Sequence, residues 1–323
     1  MGADAEPGEE LQSRPPPARS VSPFEVELSD AERADYAEFT RRVLDSTGID
    51  LSQYRLHQMH RRLRNLVDRA GLKEFAEYFR LLERDPAERA VFLDRLTVNV
   101  SELFRNPEHW EQLEKELLPA LLKRKPRLRI WSAGCSYGAE PYSLAMLLEE
   151  LTPGVAHTIH ATDLNAAMLD RGREGRFSEE DVRNMSEDRR RRFLNRLDAC
   201  DPPAREAGPA LAGTGLWPQA AAGEGFQVVP EMRSRIQFRR QNLLADPFER
   251  WYDLICCRNV VIYFSDEAKN RLYRRFYESL APGGILFLGA TERVGGYRDV
   301  GLEAVKPLFY QKAMGLNGIC AAA

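Results

Sequence analysis

The amino-acid sequence predicts an α/β protein: a doubly wound, mainly parallel sheet with a small inserted subdomain, preceded by an all-helical unit. Three observations carry this expectation. Apolar residues follow a helical period until Lys125-Pro126, after which short apolar runs alternate with helical stretches. The first of those runs ends in a small-residue turn that opens a helix. The alternation then breaks between about Gly172 and Arg235, where Pro202 to Gly225 is rich in Ala, Gly and Pro, the composition of a flexible loop within an insertion.

Residues 1–22 are rich in Pro, Gly, Glu and Ser, and Pro15-Pro16-Pro17 favours an extended chain, so a disordered tail is expected. The helical unit, residues 23–95, opens where Ser29 and Glu32 stand at capping-box spacing, ahead of an amphipathic run that stops near Gly48. A second helix is expected over about residues 51–70, with Leu56, Met59, Leu63, Leu66 and Val67 on one apolar stripe. A third covers about residues 72–84. Asp85-Pro86 opens a fourth, with Pro86 at the first helical position and Glu88 in the first turn. The sheet domain, residues 96–313, carries strand candidates at 128–132, 158–162, 236–238, 252–257 and 285–289, with the insertion at about 172–235. Helices are expected from about Pro141, and between Ser265 and Pro282-Gly283-Gly284. Leu308-Phe309-Tyr310 is placed to add an antiparallel strand, and residues 314–323 form a terminal tail.

Composition removes several classes of function. A net charge of −3 over 323 residues gives no overall attraction to nucleic acid or anionic lipid. The run Arg189-Arg190-Arg191-Arg192 follows Glu187 and Asp188, which argues against a nucleic-acid patch. No apolar h-region opens the chain, and no apolar run approaches the roughly 18 residues of a membrane span. A cytoplasmic protein is therefore expected. Cys135, Cys200, Cys256, Cys257 and Cys320 are odd in number and form no C-x-x-C pair, which fits reduced thiols. The pairs His57/His60 and His157/His160 lack a third ligand nearby, so no metal site is expected.

The chemistry concentrates after the first strand. Ile130 to Gly138 has the order strand, glycine turn, helix start; Gly134 permits close approach of backbone to a ligand, and the helix start offers unpaired N–H groups. The spacing is not G-x-G-x-x-G, which disfavours a dinucleotide. Asp163, at the end of the next strand, can accept both ribose hydroxyls of a nucleoside; the alternative is an Asp that caps a helix or forms a turn. Turn and acid together point to nucleoside binding.

Four blocks carry a family resemblance: Leu96-Thr97-Val98-Asn99-Val100-Ser101-Glu102-Leu103-Phe104-Arg105; Ile130 through Ser143, with Gly138-Ala139-Glu140-Pro141-Tyr142-Ser143; Asn242-Leu243-Leu244; and Cys257-Arg258-Asn259-Val260-Val261-Ile262-Tyr263-Phe264. In this order, over about residues 39–312, they resemble the chemotaxis receptor methyltransferases, the CheR type. The resemblance implies a Rossmann-like class I methyltransferase domain with an inserted β-subdomain behind an all-helical domain, and S-adenosylmethionine as cofactor. It implies glutamate methyl esters as product, formed on the cytoplasmic domain of a chemoreceptor or chemosensory-array protein, with no nucleic acid and no membrane insertion. Beside the Gly134 turn, cofactor contacts are implied at Asn99, Ser101, Arg105, Glu140, Asp163, Asn242, Leu243, Cys257 and Arg258. Arg105 and Tyr263 are implied to face the transferring methyl and the substrate carboxylate. Ser101 stands where the family usually has Thr. Tyr137-Gly138-Ala139-Glu140 replaces Thr-Gly-Glu-Glu, and Gly289-Ala290-Thr291-Glu292 replaces Gly-His-Ser-Glu. Ala139 and Ala290 motivate a second reading, a catalytically weak cofactor-binding module that docks on signalling arrays.

Methyl transfer from a sulfonium to a carboxylate is an in-line displacement. A glutamate with an ordinary pKa of about 4.3 is ionised at neutral pH, so no general base is required. Opposite charges disappear as the bond forms, which favours a dry site and leaves alignment to supply much of the rest. A tight ion pair from Arg105 would stabilise the reactant carboxylate more than the transition state, so an orienting role is expected of it. Tyr263 can donate one hydrogen bond to the carboxylate; the alternative is a core aromatic. Arg55, Arg62 and Arg69 recur every seven residues on one face of the second helix. They form either a solvated basic face or, by the resemblance, a docking surface for acidic receptor helices.

Overall fold

The structure, a computed structural model, describes residues 28–97, 99–197 and 225–314; the expected N-terminal tail, residues 202–224 of the Ala/Gly/Pro-rich stretch and residues 315–323 lie outside the described residues. The N-terminal unit contains helices α1 (Asp30–Thr47), α2 (Leu56–Arg69), α3 (Phe75–Arg84) and α4 (Pro86–Leu96). Their ends have local causes. Ser29 and Glu32 close the expected capping box, and α1 stops at Gly48, which takes φ 72°. Asp85 caps α4 by accepting the Ala87 N–H at 2.8 Å.

Helix α2 begins five residues later than the sequence suggests. Leu51–Gln53 form a 3-10 turn that buries Leu51, and Tyr54 pairs across the domain joint with Phe264 in an isolated antiparallel bridge. The chain must therefore be extended before the helix can start. Leu56 in consequence lies 47% exposed, off the stripe, whereas Met59, Leu63, Leu66 and Val67 are buried. They pack against an aromatic group of Phe39, Phe75, Tyr78 and Phe92.

The second domain carries strands β1 (Arg129–Ala133), β2 (Thr158–Asp163), β3 (Arg176–Phe177), β4 (Leu194–Leu197), β5 (Gly225–Val228), β6 (Ile236–Arg240), β7 (Tyr252–Cys257), β8 (Leu280–Leu288), β9 (Leu302–Lys306) and β10 (Phe309–Lys312). The main sheet has the order β6-β2-β1-β7-β8-β10-β9, parallel from β6 to β8 and antiparallel at β10 and β9. Strand β10 takes the antiparallel place expected near Tyr310; β9 had no sequence signal. Strand β8 starts at Leu280, so Pro282-Gly283-Gly284 lies inside a strand rather than ahead of it. A register shift between Tyr252 and Leu254 accommodates this, and a Cβ on Gly284 would fall 2.7 Å from the Tyr252 carbonyl.

Helix α5 (Pro107–Gln112) continues through a π turn, Leu113–Leu117, into α6 (Leu118–Arg124) ahead of β1. Helices α7 (Ala139–Leu151) and α8 (Ala166–Glu174) follow β1 and β2, and the helix Asp266–Ser279 joins β7 to β8. The inserted subdomain is a three-stranded antiparallel sheet, β3-β5-β4, with α9 (Glu187–Phe193) before β4. The arginine run on α9 is engaged within the fold. Arg189 pairs with Glu150 at 2.7 Å and Glu114 at 2.8 Å, Arg190 donates to the Val182 carbonyl, and Arg191 pairs with Asp188. Three of the four paired histidines are used locally: His60 packs on Tyr36 and Phe75, His157 Nδ1 accepts the Leu128 N–H, and His160 meets the Tyr252 hydroxyl, whereas His57 is exposed. Among the described residues no helix is long and apolar enough to cross a membrane.

Candidate active site

Strand order turns back between β1 and β7: β2 and β6 lie to one side of β1, β7 and β8 to the other. A crevice outside the carboxyl ends of the strands is the expected ligand site of such a sheet. A cleft enclosing about 930 Å³, the part open to solvent included, lies there, walled by both domains. Asn99, Ser101, Arg105, Gly134, Glu140, Asp163, Asn242, Leu243, Arg258 and Tyr263 all line it. Cys257 does not. Its side chain is fully buried beside Trp131 and Val261, and burial pushes its thiol pKa up.

Gly134 takes φ 79°, and a Cβ there would stand 2.5 Å from Val260 Cγ2. The turn therefore has to be glycine. Ser136 also has positive φ, 49°, and its N–H donates to Asp163 Oδ2 at 2.8 Å. Asp163 Oδ1 accepts the Asn165 N–H at 2.9 Å. Asp163 thus shapes a turn and also faces the cleft. Each oxygen holds one backbone N–H and retains acceptor capacity for a hydroxyl. Burial raises its pKa, opposed by those backbone bonds.

Glu140 sits in the first turn of α7. Ser132 Oγ donates to its Oε1 at 2.7 Å, and Oε2 stands 4.0 Å from Arg258. Burial raises its pKa, and the Arg258 charge opposes this. Arg258 is itself buried; it donates to the Arg105 carbonyl at 2.8 Å and lies 4.6 Å above the Phe287 ring. Its contact with Arg105 fixes the loop in which Asn106 adopts φ 61°. Glu292 is a site-shaping residue that the sequence placed only within a family block. Its buried carboxylate accepts the N–H groups of Gly289 at 2.8 Å, Asn259 at 2.8 Å and Val261 at 3.0 Å, which fixes the turn after β7.

At the mouth, Arg105 is half-buried and donates to the Val100 carbonyl at 3.0 Å. Tyr263 is half-buried in the cleft wall, not a core aromatic. Its carbonyl accepts the Arg55 N–H at 2.9 Å, and the Arg62 guanidinium lies 4.9 Å from its ring centre. The three arginines therefore do not form one docking face. Arg55 precedes the late-starting α2 and pairs with Asp266 at 3.6 Å, whereas Arg62 is drawn inward to the Leu96 carbonyl at 3.1 Å. Arg69 is exposed. Tyr137, a departure from the family pattern, bridges to the inserted subdomain: its hydroxyl meets the Ser101 carbonyl and, at 2.8 Å, the Asp181 carboxylate.

Residues 34–97 match the family described as CheR methyltransferase, all-alpha domain, and residues 99–200 and 216–304 match CheR methyltransferase, SAM binding domain. The chain belongs to the CheR methyltransferase family. It is 38% identical to a chemotaxis protein methyltransferase of Listeria monocytogenes serovar 1/2a over 280 residues, 86% of this chain and 97% of that relative. Chemotaxis protein methyltransferase 1 of Pseudomonas aeruginosa is 33% identical, with 83% and 93% covered, and the Borreliella burgdorferi relative is 30% identical, with 84% and 91% covered. S-adenosylmethionine is accordingly the cofactor of this CheR-family protein. The residues present fit it: a carboxylate at Glu140 would suit an ammonium, the two Asp163 oxygens would suit a ribose, and Gly134 leaves room for close approach.

Proposed function

We propose that this CheR-family protein methylates glutamate side-chain carboxylates on the cytoplasmic domain of a chemoreceptor-type protein, forming methyl esters in chemosensory signalling, and that it works in the cytoplasm. The observation that carries this reading is the acceptor side of the cleft. Arg105 and Tyr263 line it, and among the described residues no histidine does. An acceptor that is already ionised needs orientation, not deprotonation. The cofactor supplies an electrophilic methyl on a sulfonium. Arg105, with one nitrogen committed to Val100, directs a carboxylate without fully neutralising it. Tyr263 donates to the same carboxylate, its backbone carbonyl held by the Arg55 N–H and its ring covered by Arg62. Exposed Arg55 and Arg69 offer positive charge to acidic receptor helices.

The test is labelled methyl transfer from S-adenosylmethionine into receptor-containing membranes, followed by mild alkali. Volatile methanol from a receptor band, absent with Asp163→Ala, is the expected result. Label that resists alkali would assign a different acceptor. Cofactor binding with no transfer to any receptor would replace the proposal with that of a docking module.

A further inference from the structure

We infer that Asp94, in the last turn of α4, is a positioning residue that lets the helical domain set the affinity of the S-adenosylmethionine cleft through a closed ring of hydrogen bonds. Asp94 Oδ1 accepts from Asn99 Nδ2 at 2.8 Å and from Asn165 Nδ2 at 3.0 Å. The Asn165 N–H donates to Asp163 Oδ1 at 2.9 Å, and Asp163 Oδ2 accepts the Ser136 N–H at 2.8 Å. Ser136 Oγ then returns to Asn99 Oδ1 at 3.4 Å. The ring joins the helical domain, the glycine turn and the turn after β2. Its cleft-facing members are Asn99, Ser136 and Asp163.

One carboxylate oxygen fixes two amides here. Asp94 is only 5% exposed, and a carboxylate so buried is costly unless hydrogen bonds satisfy it. Its two bonds decide which way each amide points. Asn165 turns Nδ2 to Asp94 and leaves Oδ1 to cap α8 through the Ala167 and Met168 N–H groups. Asn99 turns its oxygen to Ser136. Without Asp94, the two amide donors share the Thr97 hydroxyl, 3.0 Å from Asn99 Nδ2 and 3.3 Å from Asn165 Nδ2, so one neutral oxygen is left in place of a carboxylate and both amides are held more weakly. The Asp163 turn then has one fewer anchor. This inference concerns the cofactor side alone and holds whichever acceptor is methylated.

Calorimetric titration of the full-length protein with S-adenosylhomocysteine tests it without any methyl acceptor. Asp94→Ala is expected to weaken binding roughly tenfold or more. Asp94→Asn keeps an acceptor oxygen and should stay within about threefold of the parent. Asn165→Asp keeps the α8 cap but sets a second carboxylate against Asp94, and should weaken binding at least as much as Asp94→Ala. Asp94→Asn should therefore rescue what Asp94→Ala loses, because an acceptor oxygen at position 94 is what holds the two amides. A merely bulk-structural role for Asp94 would instead leave the similarly sized Asp94→Leu as tight a binder as Asp94→Asn. Parent-like binding by Asp94→Ala, or Asp94→Asn binding as weakly as Asp94→Ala, would overturn the inference. Where thermal melting shows that Asp94→Ala does not fold, Asp94→Asn against Asn165→Asp decides, and parent-like binding by Asn165→Asp overturns the inference.

Discussion

Gly134 is restricted twice over, by φ 79° and by Val260 Cγ2 at 2.5 Å from any Cβ. Gly134→Ala should therefore lower stability by about 1–3 kcal/mol in denaturant unfolding, the usual range for a strained left-handed residue, and should also cut cofactor affinity, because Val260 lines the same cleft. An unchanged midpoint with unchanged binding would mean the turn relaxes. Tyr263 invites a narrower substitution. Tyr263→Phe keeps the ring under Arg62 and removes only the hydroxyl, so a fall in kcat with little change in KM is expected if that hydroxyl touches the carboxylate. Full turnover would take the hydroxyl out of the mechanism.

Helix α2 shows how an element divides its charges. Arg69 faces solvent, whereas Arg62 holds the Leu96 carbonyl and covers Tyr263. Arg69→Glu should raise the receptor KM and leave cofactor affinity unchanged. Arg62→Glu should lower kcat as well, because it disturbs Tyr263. Equal kinetic profiles for the two would return both to a single docking face. At the start of α1, Ser29→Ala removes one half of the capping box and should cost about 1 kcal/mol in thermal or denaturant unfolding. That cap was legible because both partners lie within four residues. So were Gly134 and Asp163, since a strand end dictates what can follow it. The late start of α2 was not legible: it depends on Tyr54 pairing with Phe264, some two hundred residues away in the chain. Glu292 and Asp94 were missed for the same reason, since the partners that define them, Asn259 and Val261 for Glu292 and Asn165 for Asp94, are distant in sequence and one acid in a polar block resembles another. Cys257 fell outside the cleft because alternation along β7 turns its side chain to the core.

Across the whole molecule, four carboxylates stand on or behind the cleft wall, Glu140 and Asp163 lining it and Asp94 and Glu292 behind it, and burial raises the pKa of each. For an acid raised in this way the sign is definite. Below the ordinary carboxylate range both folded and unfolded chains hold the proton, and the group costs nothing. As pH rises into the window between the unfolded and folded pKa, the unfolded chain ionises first, binds fewer protons, and stability falls. Glu140 isolates the effect, because glutamine can still accept from Ser132 Oγ while lacking the charge. In cofactor-free protein, Glu140→Gln should therefore melt close to the parent at acid pH and above it once pH exceeds the raised pKa, by roughly 2–4 °C for each kcal/mol relieved. Exposed acids with lowered pKa, such as Glu32, Glu38 and Glu77, and histidines with lowered pKa titrate alike in both proteins and cancel in the difference. The same substitution should weaken S-adenosylmethionine, whose ammonium loses its counter-charge, so stability and binding should move in opposite directions. Melting curves that run parallel across pH would show that Arg258 already compensates Glu140 in full. A gap that opens with pH would show that the cleft carries an electrostatic strain which the cationic cofactor relieves on binding.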